Sequence, residues 1–426
     1  MKRRPWCWLV MLPLLVGCGA PAGLYAASQT QSIKAFGKGR DAVAAVKGYY
    51  APLARRNADL IAYKYQLMAE SPFAFFRGSA ALFYSDVAQV ASLQSRARLP
   101  LQGDLHLENL GTYQTENGAI AYDLNDFDEA FTGPVTWELA RCAVSIRLAA
   151  DEAGIGDHDA GDLVADFLQE YRQQVKRLAG HPAALSEPLT TADGPVGDVL
   201  KDAARQSRAD FIDKLTSHGA FKLGKKLSAC SPSVRQDVIQ AIASYASHRP
   251  EGGAYFQVKD VAQRLAGVAS IGRYRYAALI EGRSRSADDD VVLELKEEGP
   301  SAASAVAGTR AANEASRVLE AYSYFLPRPD ALLGTARIQG LDFLVRELQP
   351  AKAGVELAEL KGKKDFGRFL ETVALVTARA HARASQSAAL LAEVEDEPAF
   401  VSKIGAFAKA YQAQVQTDHH AFKTAL

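Results

Sequence analysis

Residues Leu99–Glu138 read LPLQGDLHLENLGTYQTENGAIAYDLNDFDEAFTGPVTWE, and the fold and chemistry expected of the chain follow from this stretch. Between apolar runs it sets Asp104, His106, Glu108, Asn109, Asp123, Asn125, Asp126, Asp128 and Glu129. Oxygen donors at that density beside strand ends suit a hard cation such as Mg²⁺. Their order carries further information. Leu99 to Leu101 leads into Gly103-Asp104, and Asn109 follows on the same loop. Leu110 to Gln114 and Ala119 to Leu124 flank Asn117-Gly118, the strongest short-range signal of a hairpin. Asp126 emerges just past the second strand. An Asp and an Asn on one loop, a hairpin and another Asp make the lower half of a phosphoryl-transfer site. There the first Asp accepts a hydroxyl proton, and the Asn and second Asp hold metal on the phosphates.

The 426 residues, 48% apolar and 23% charged, allow two or three lobes with ample core. With 49 basic against 49 acidic residues there is no cationic surplus for a nucleic-acid footprint, so nucleic acid is not an expected partner. Lys2, Arg3 and Arg4 precede an apolar run, Trp6 to Val16, too short to span a bilayer, which reads as a targeting segment. Leu15-Val16-Gly17-Cys18 resembles the bacterial lipobox, whose cysteine is lipidated and becomes the mature N-terminus. The alternative is ordinary secretory cleavage after Ala26. Residues 1–27 are therefore expected to be a leader, cleaved before Cys18. Export places the chain on the periplasmic side of the envelope, with membrane contact only through a lipid anchor at Cys18. Gly19 after that cysteine implies, by resemblance, the outer membrane. Cys142 and Cys230 fit no metal spacing, and read either as a disulfide or as two unlinked small hydrophobes.

Downstream of a polar tether, a helical pattern runs from Asp41 to Met68 and is ended by Ser71-Pro72. Three phenylalanines in Phe73-Ala74-Phe75-Phe76 read as core, and Arg77 beside them as an anion clamp or the partner of a local carboxylate. Ser79–Leu93, Trp137–Ala153, Asp157–Leu178, Asp202–Ser217 and Ser233–Ala246 read as helices, and 179–200 as loop. The character changes near residue 254. Tyr255–Leu265, Tyr274–Glu281 and Val291–Lys296 are β-type runs, with Gly267-Val268-Ala269-Ser270-Ile271-Gly272 between the first two. Glycines there let backbone N–H groups approach phosphates, although a plain β-turn has the same composition. Lys296 ends an apolar strand and needs a partner. The helix Ala311–Phe325 offers Glu314 and Glu320, of which Glu320 is preferred; an exposed cluster with Glu294 and Glu297 is the alternative. Lysine on the phosphates, braced by a helix glutamate, is the upper half of the same machinery. Ala336–Ile338 and Leu341–Glu347 read as paired strands, and Leu348-Gln349-Pro350 as a hinge able to meet an adenine edge. Helices are expected at Phe366–Ala384, where His381 reads as a helix-end histidine, and at Pro398–Phe422.

Gly103-Asp104-Leu105-His106-Leu107-Glu108-Asn109, Asp126-Phe127-Asp128-Glu129-Ala130, Gly133-Pro134 and Glu138-Leu139-Ala140 resemble the protein kinase-like superfamily in its small-molecule phosphotransferase branch. Gln102 stands where that branch has His, and Glu138 where it has Asp. Through SPFAFFRG, GDLHLENLG, DLNDFDEA, GVASIG and LELKEE the chain is identified as a member of the bacterial family named domain of unknown function 2252. The resemblance implies a two-lobed α+β kinase-like fold with a mostly helical large lobe and a small antiparallel β-rich lobe. The halves run in the reverse of the usual order, which implies a circular permutation. Residues 28–253 and 351–426 would form the helical lobe, and 254–350 the β-rich lobe. It further implies ATP and Mg²⁺ as cofactors and phosphoryl transfer to an unknown hydroxyl acceptor, small or peptidic. Asp104 would be the base, Asn109 and Asp126 the metal ligands and Asp128 a second one. His106 would support the loop. Lys296 would hold the phosphates against Glu320, beneath Gly267, Ser270 and Gly272. Two rivals remain: a catalytically silent kinase-like envelope scaffold, and a carboxylate cluster binding Ca²⁺ structurally.

Overall fold

The computed structural model describes residues 39–265, 271–385 and 388–426. The leader with Cys18, the whole of the tether from Ala27 to Lys38, and Gly267 and Ser270 lie outside them. Among the described residues the first helix, α1 (Ala42–Arg56), starts where the Asp41 side chain accepts from the Ala44 N–H. One helix was expected as far as Met68; instead Asn57 takes an extended backbone and its side chain accepts from Leu60 N, opening α2 (Ala58–Met68). Asparagine competes for backbone donors in this way and so breaks helices and caps them. Ser71-Pro72 likewise begins a helix as well as ending one: Ser71 caps α3 (Pro72–Gly78), whose first position suits proline.

There follow α4 (Ala80–Val87), β1 (Arg98–Leu101), the hairpin β2 (Leu110–Gln114) and β3 (Ile120–Leu124), and β4 (Phe131–Pro134), which pairs antiparallel with β1. Buried along nearly its whole length, α5 (Val135–Glu152) is the axis of the helical body. Next come α6 (Asp157–Ala179), α7 (Gly194–Ala204) and α8 (Arg208–Leu215). The segment expected to be loop thus holds most of a helix, because Gly194-Pro195 opens α7. The helix expected over 202–217 is split where Ser207 caps α8.

Short strands β5 (Thr216–Ser217), β6 (Ala220–Phe221) and β7 (Leu227–Ala229) lead to α9 (Pro232–Ala246), β8 (Val258–Arg264), β9 (Arg275–Ile280) and β10 (Val291–Glu297). The chain closes with α10 (Ser304–Ala307), α11 (Glu314–Phe325), β11 (Gly334–Ile338), β12 (Leu341–Glu347), α12 (Gly362–Ser385), α13 (Ala388–Glu393) and α14 (Glu397–Thr424). Six strands form one antiparallel sheet in the order β11-β12-β10-β9-β8-β7. The class is mixed α+β with antiparallel sheets. The sheet and α9, which packs on it, begin ahead of residue 254.

Period-two alternation in β10 decides where the chemistry lies. Val291, Leu293 and Leu295 join Val238, Ile242 and Phe343 in a core beneath α9. Each such buried side chain is worth about 1.5–3 kcal/mol. Val292, Glu294 and Lys296 therefore share the opposite face. Cys142 and Cys230 are unlinked.

Candidate functional site

Past β1 the chain turns through Gly103, whose φ of 85° and close approach to the Glu129 carbonyl leave no room for a Cβ. Glu138, fully buried at the start of α5, accepts from Gln102 N at 3.1 Å and Gly103 N at 2.6 Å. His381 faces the same carboxylate through Nε2 at 2.8 Å, and its Nδ1 lies 2.8 Å from the Tyr171 hydroxyl. A carboxylate only accepts, so Nε2 carries the proton and Tyr171 donates to Nδ1. The Gln102 amide donates to the carbonyls of Asn109 at 3.2 Å and Asp126 at 3.0 Å, tying the two functional loops together.

Arg141, buried on α5 above the rings of Phe76 and Phe83, donates from Nε to Asp104 Oδ1 at 2.7 Å. His106 Nε2 stands 3.6 Å from Asp104 Oδ2. Burial alone would raise the Asp104 pKa, but the Arg141 guanidinium and His106 outweigh it and hold the carboxyl at about 2. Asn109 donates to the Asp104 carbonyl at 2.9 Å, leaving its amide oxygen as a donor atom for an ion. Arg77 pairs with Glu108.

Lys296 Nζ reaches across from β10 to Asp126 Oδ1 at 3.2 Å and also pairs with Asp128. Burial opposes its charge, yet the two carboxylates win and push its pKa up to about 12. The expected brace, Glu320, is not there. Ala315, Val318, Ala321, Tyr322 and Phe325 take the inner face of α11, so Glu320 is exposed; Glu314 holds Arg317 instead. Burial would raise the Asp126 carboxyl, but the Lys296 charge holds it well below its ordinary range. Burial and the Asp126 charge raise Asp128. Burial also raises Glu129 and Glu298, the latter with help from the Asp128 charge.

This corner gathers more carboxyl groups than Lys296 and Arg273 can pair, and burial raises those left over. Asn109, Asp126 and Asp128 share, with Asp104 and Glu129, the wall of a cavity of about 30 Å³ that α1 closes with Tyr49, Tyr50 and Leu53. Among the described residues, carboxylates and imidazoles are close enough to chelate an ion unaided only at the exposed His158 and the half-buried Asp159 and Asp162 of α6. An amide oxygen and one or two carboxylates, completed by water and phosphate, match Mg²⁺ better than Ca²⁺, which takes six to eight oxygens.

Gly272, at φ 99°, packs under α1 and α2: a Cβ there would lie 2.7 Å from Ile61 Cδ1. At the expected hinge, Leu348 N donates to Val292 O at 2.8 Å. The Gln349 amide bonds Gln114 N at 2.7 Å and Gln114 O at 3.0 Å. Sequence reasoning missed Arg141, the Glu138–His381–Tyr171 chain, the closing role of α1, and the partners of Glu294. Only the last had a readable signal, since Glu294 and Lys296 are two apart on one strand.

A family model described as "Uncharacterized protein conserved in bacteria (DUF2252)" matches residues 56–425. No curated protein and no solved structure matches the chain.

Proposed function

The chain belongs to the DUF2252 family, and from that premise we propose a kinase-like phosphotransferase that binds Mg-ATP and phosphorylates a hydroxyl acceptor. One observation carries the reading. Lys296 and Asp126, 170 residues apart, meet at 3.2 Å, and Asp126 shares the wall of one small cavity with Asp104 and Asn109. The order β8, turn, β9, β10 with its lysine, α11, β11, β12 and connection supports a kinase-like small lobe. On this reading the fold is circularly permuted. Residues 28–253 and 351–426 build the helical lobe, and the mature chain sits on the periplasmic face, tethered at Cys18.

The acceptor oxygen attacks the terminal phosphorus; that O–P bond forms as the bond to the bridging oxygen breaks, and the leaving phosphate keeps the electron pair. Asp104 takes the hydroxyl proton. With its pKa at about 2 it does so late, once the oxygen is already bonding to phosphorus. Arg141 and His106 orient the carboxylate, and Lys296 positions the phosphates. Mg²⁺ held by Asn109, Asp126 and Asp128 would neutralise phosphate oxygens.

The test is thermal unfolding of the chain with Mg-ATP, Mg²⁺ alone and Ca²⁺. A ligand at a hundred times its Kd stabilises by about 2.7 kcal/mol. Mg-ATP is expected to raise Tm by several degrees, with Asp126→Ala and Lys296→Ala each abolishing the rise. The closed 30 Å³ cavity favours a second reading, a silent envelope scaffold. Indifference to nucleotide would support it, and stabilisation by cation alone would support a structural ion site.

A further inference from the structure

If the phosphotransfer reading holds, the sheet face beside Lys296 is where a nucleobase would lodge, and that face is charged. Glu294, fully buried next to Lys296 on β10, receives Arg346 from β12 through Nε at 2.8 Å and Nη2 at 2.6 Å. Arg264 from β8 also bonds it, and Arg275 from β9 lies 3.3 Å away. Three guanidiniums on one carboxylate leave two positive charges in excess. The arginine side chains are only 7 to 20% exposed. Arg275 Nε is buried with no hydrogen-bond partner among the described residues. Arg346 Nη1 donates to the Tyr322 hydroxyl, which leaves the charge surplus as it is.

Across the cleft the imbalance is reversed. Asp126 and Asp128 both pair with the single ammonium of Lys296. The cleft is therefore cationic on its sheet side and anionic on its loop side. A base has no comparable welcome. The cavity at the hinge, lined by Arg346, Leu348, Gln349 and Lys352, is about 40 Å³. Any triphosphate needs that space to open, so what separates a base from a phosphate chain is the state of the hinge groups. The hinge Leu348 N–H and Gln349 amide are already engaged.

We propose that the donor is held by its phosphates alone, with Arg264, Arg275 and Arg346 binding the phosphate chain, so that linear inorganic polyphosphate serves as well as a nucleoside triphosphate. This rests on the phosphotransfer reading and names its donor. The chemistry balances without a nucleoside. The acceptor oxygen bonds the terminal phosphorus, the P–O bond to the bridging oxygen breaks, the shortened polyphosphate leaves with the electron pair, and Asp104 takes the proton. Phosphate oxygens match the paired N–H donors of guanidinium, and a divalent cation would join them to the loop carboxylates.

Calorimetric titration of the full chain in Mg²⁺ compares inorganic tripolyphosphate, ATP, GTP and adenosine. Expected are Kd values within about threefold for the three triphosphates and no binding of adenosine. Arg264→Gln, at the edge of the cluster, should weaken all three by about tenfold, and Arg346→Lys should weaken them in parallel. Binding of ATP without tripolyphosphate overturns the inference and leaves the phosphotransferase standing. Failure of every triphosphate overturns the phosphotransferase itself. Unchanged affinity in both variants, each checked for folding by circular dichroism, overturns the arginine site. The wild-type comparison across donors stands whether or not the variants fold.

Discussion

The loop from Gly103 to Asn109 is held from behind by a buried side chain of α5. Glu138 takes two backbone N–H groups and the His381 ring into a fully buried carboxylate. Glu138→Gln keeps the shape but turns an acceptor into a donor, which should cost about 2–3 kcal/mol, read from the urea midpoint. Lys64 offers a pH test. It is fully buried with its ammonium 3.9 Å from the centre of the Tyr50 ring. Burial, with the like charge of Arg273, pulls its pKa down to about 7. Between there and the ordinary lysine value the folded chain has released a proton that the unfolded chain keeps. The cost of burying Lys64 is therefore full below pH 7 and shrinks as pH rises towards 10. Lys64→Met is expected to gain stability over wild type at pH 6 and to lose most of that gain by pH 9.5, in urea melts at both. The loop of Asp104 and Asn109, the turn of Asp126 and the strand of Lys296 were legible because local spacing fixes each of them. Arg141 was not, since nothing local marks one arginine of a buried helix as the partner of an aspartate 37 residues away. The choice of Glu320 failed because the inward face of α11 is set by packing on Phe127, not by the helix alone.

Helix α1 is the element that decides access. Tyr49, Tyr50 and Leu53 close the cavity over Asp104 and Asp126. Arg56 fastens α1 to the sheet, bonding both Glu297 oxygens at 2.6 and 2.8 Å while lying 4.3 Å from the Tyr274 ring centre. Arg40 fastens the other end to Asp86 and Asp418. With the cavity at about 30 Å³, any larger ligand reaches those carboxylates only if α1 swings aside. Arg56→Ala should speed amide exchange across residues 42–56 by about tenfold and raise the association rate for Mg-ATP; unchanged protection would mean that α1 is held elsewhere. Strands and hairpins were read closely, because alternation and Asn-Gly are local signals. Helix ends were read less well. Asn57, Ser71 and Ser207 are side chains that both stop one helix and start another, and an amphipathic pattern runs across them unchanged.

At the scale of the molecule, α11 and Leu344 of β12 join the core of the helical body, while the rest of the sheet packs cores of its own. Phe325 and Tyr322 of α11 sit on Phe127, at centroid distances of 5.2 and 4.6 Å. Arg317 donates to the carbonyls of Ala130, Asp128 and Gly299. A fragment of residues 254–350 also loses β7 and α9, and is expected to show no cooperative melt by circular dichroism. The order of the functional motifs was plain in the chain; that Leu227–Ala229 would extend the sheet was not, because three residues of strand carry no periodicity. The last helix returns to the first: Lys47 Nζ donates to Ala425 O at 3.1 Å, and Arg40 reaches Asp418 at 2.7 Å. Glu251, Gly252 and Gly253, by contrast, are bare surface. Snip the thread at those glycines, sew Leu426 back to Gly39, and the ribosome would deliver the lysine sheet before the acidic loop, with every neighbour unchanged. The contacts of the folded object are the same whichever half the ribosome delivers first.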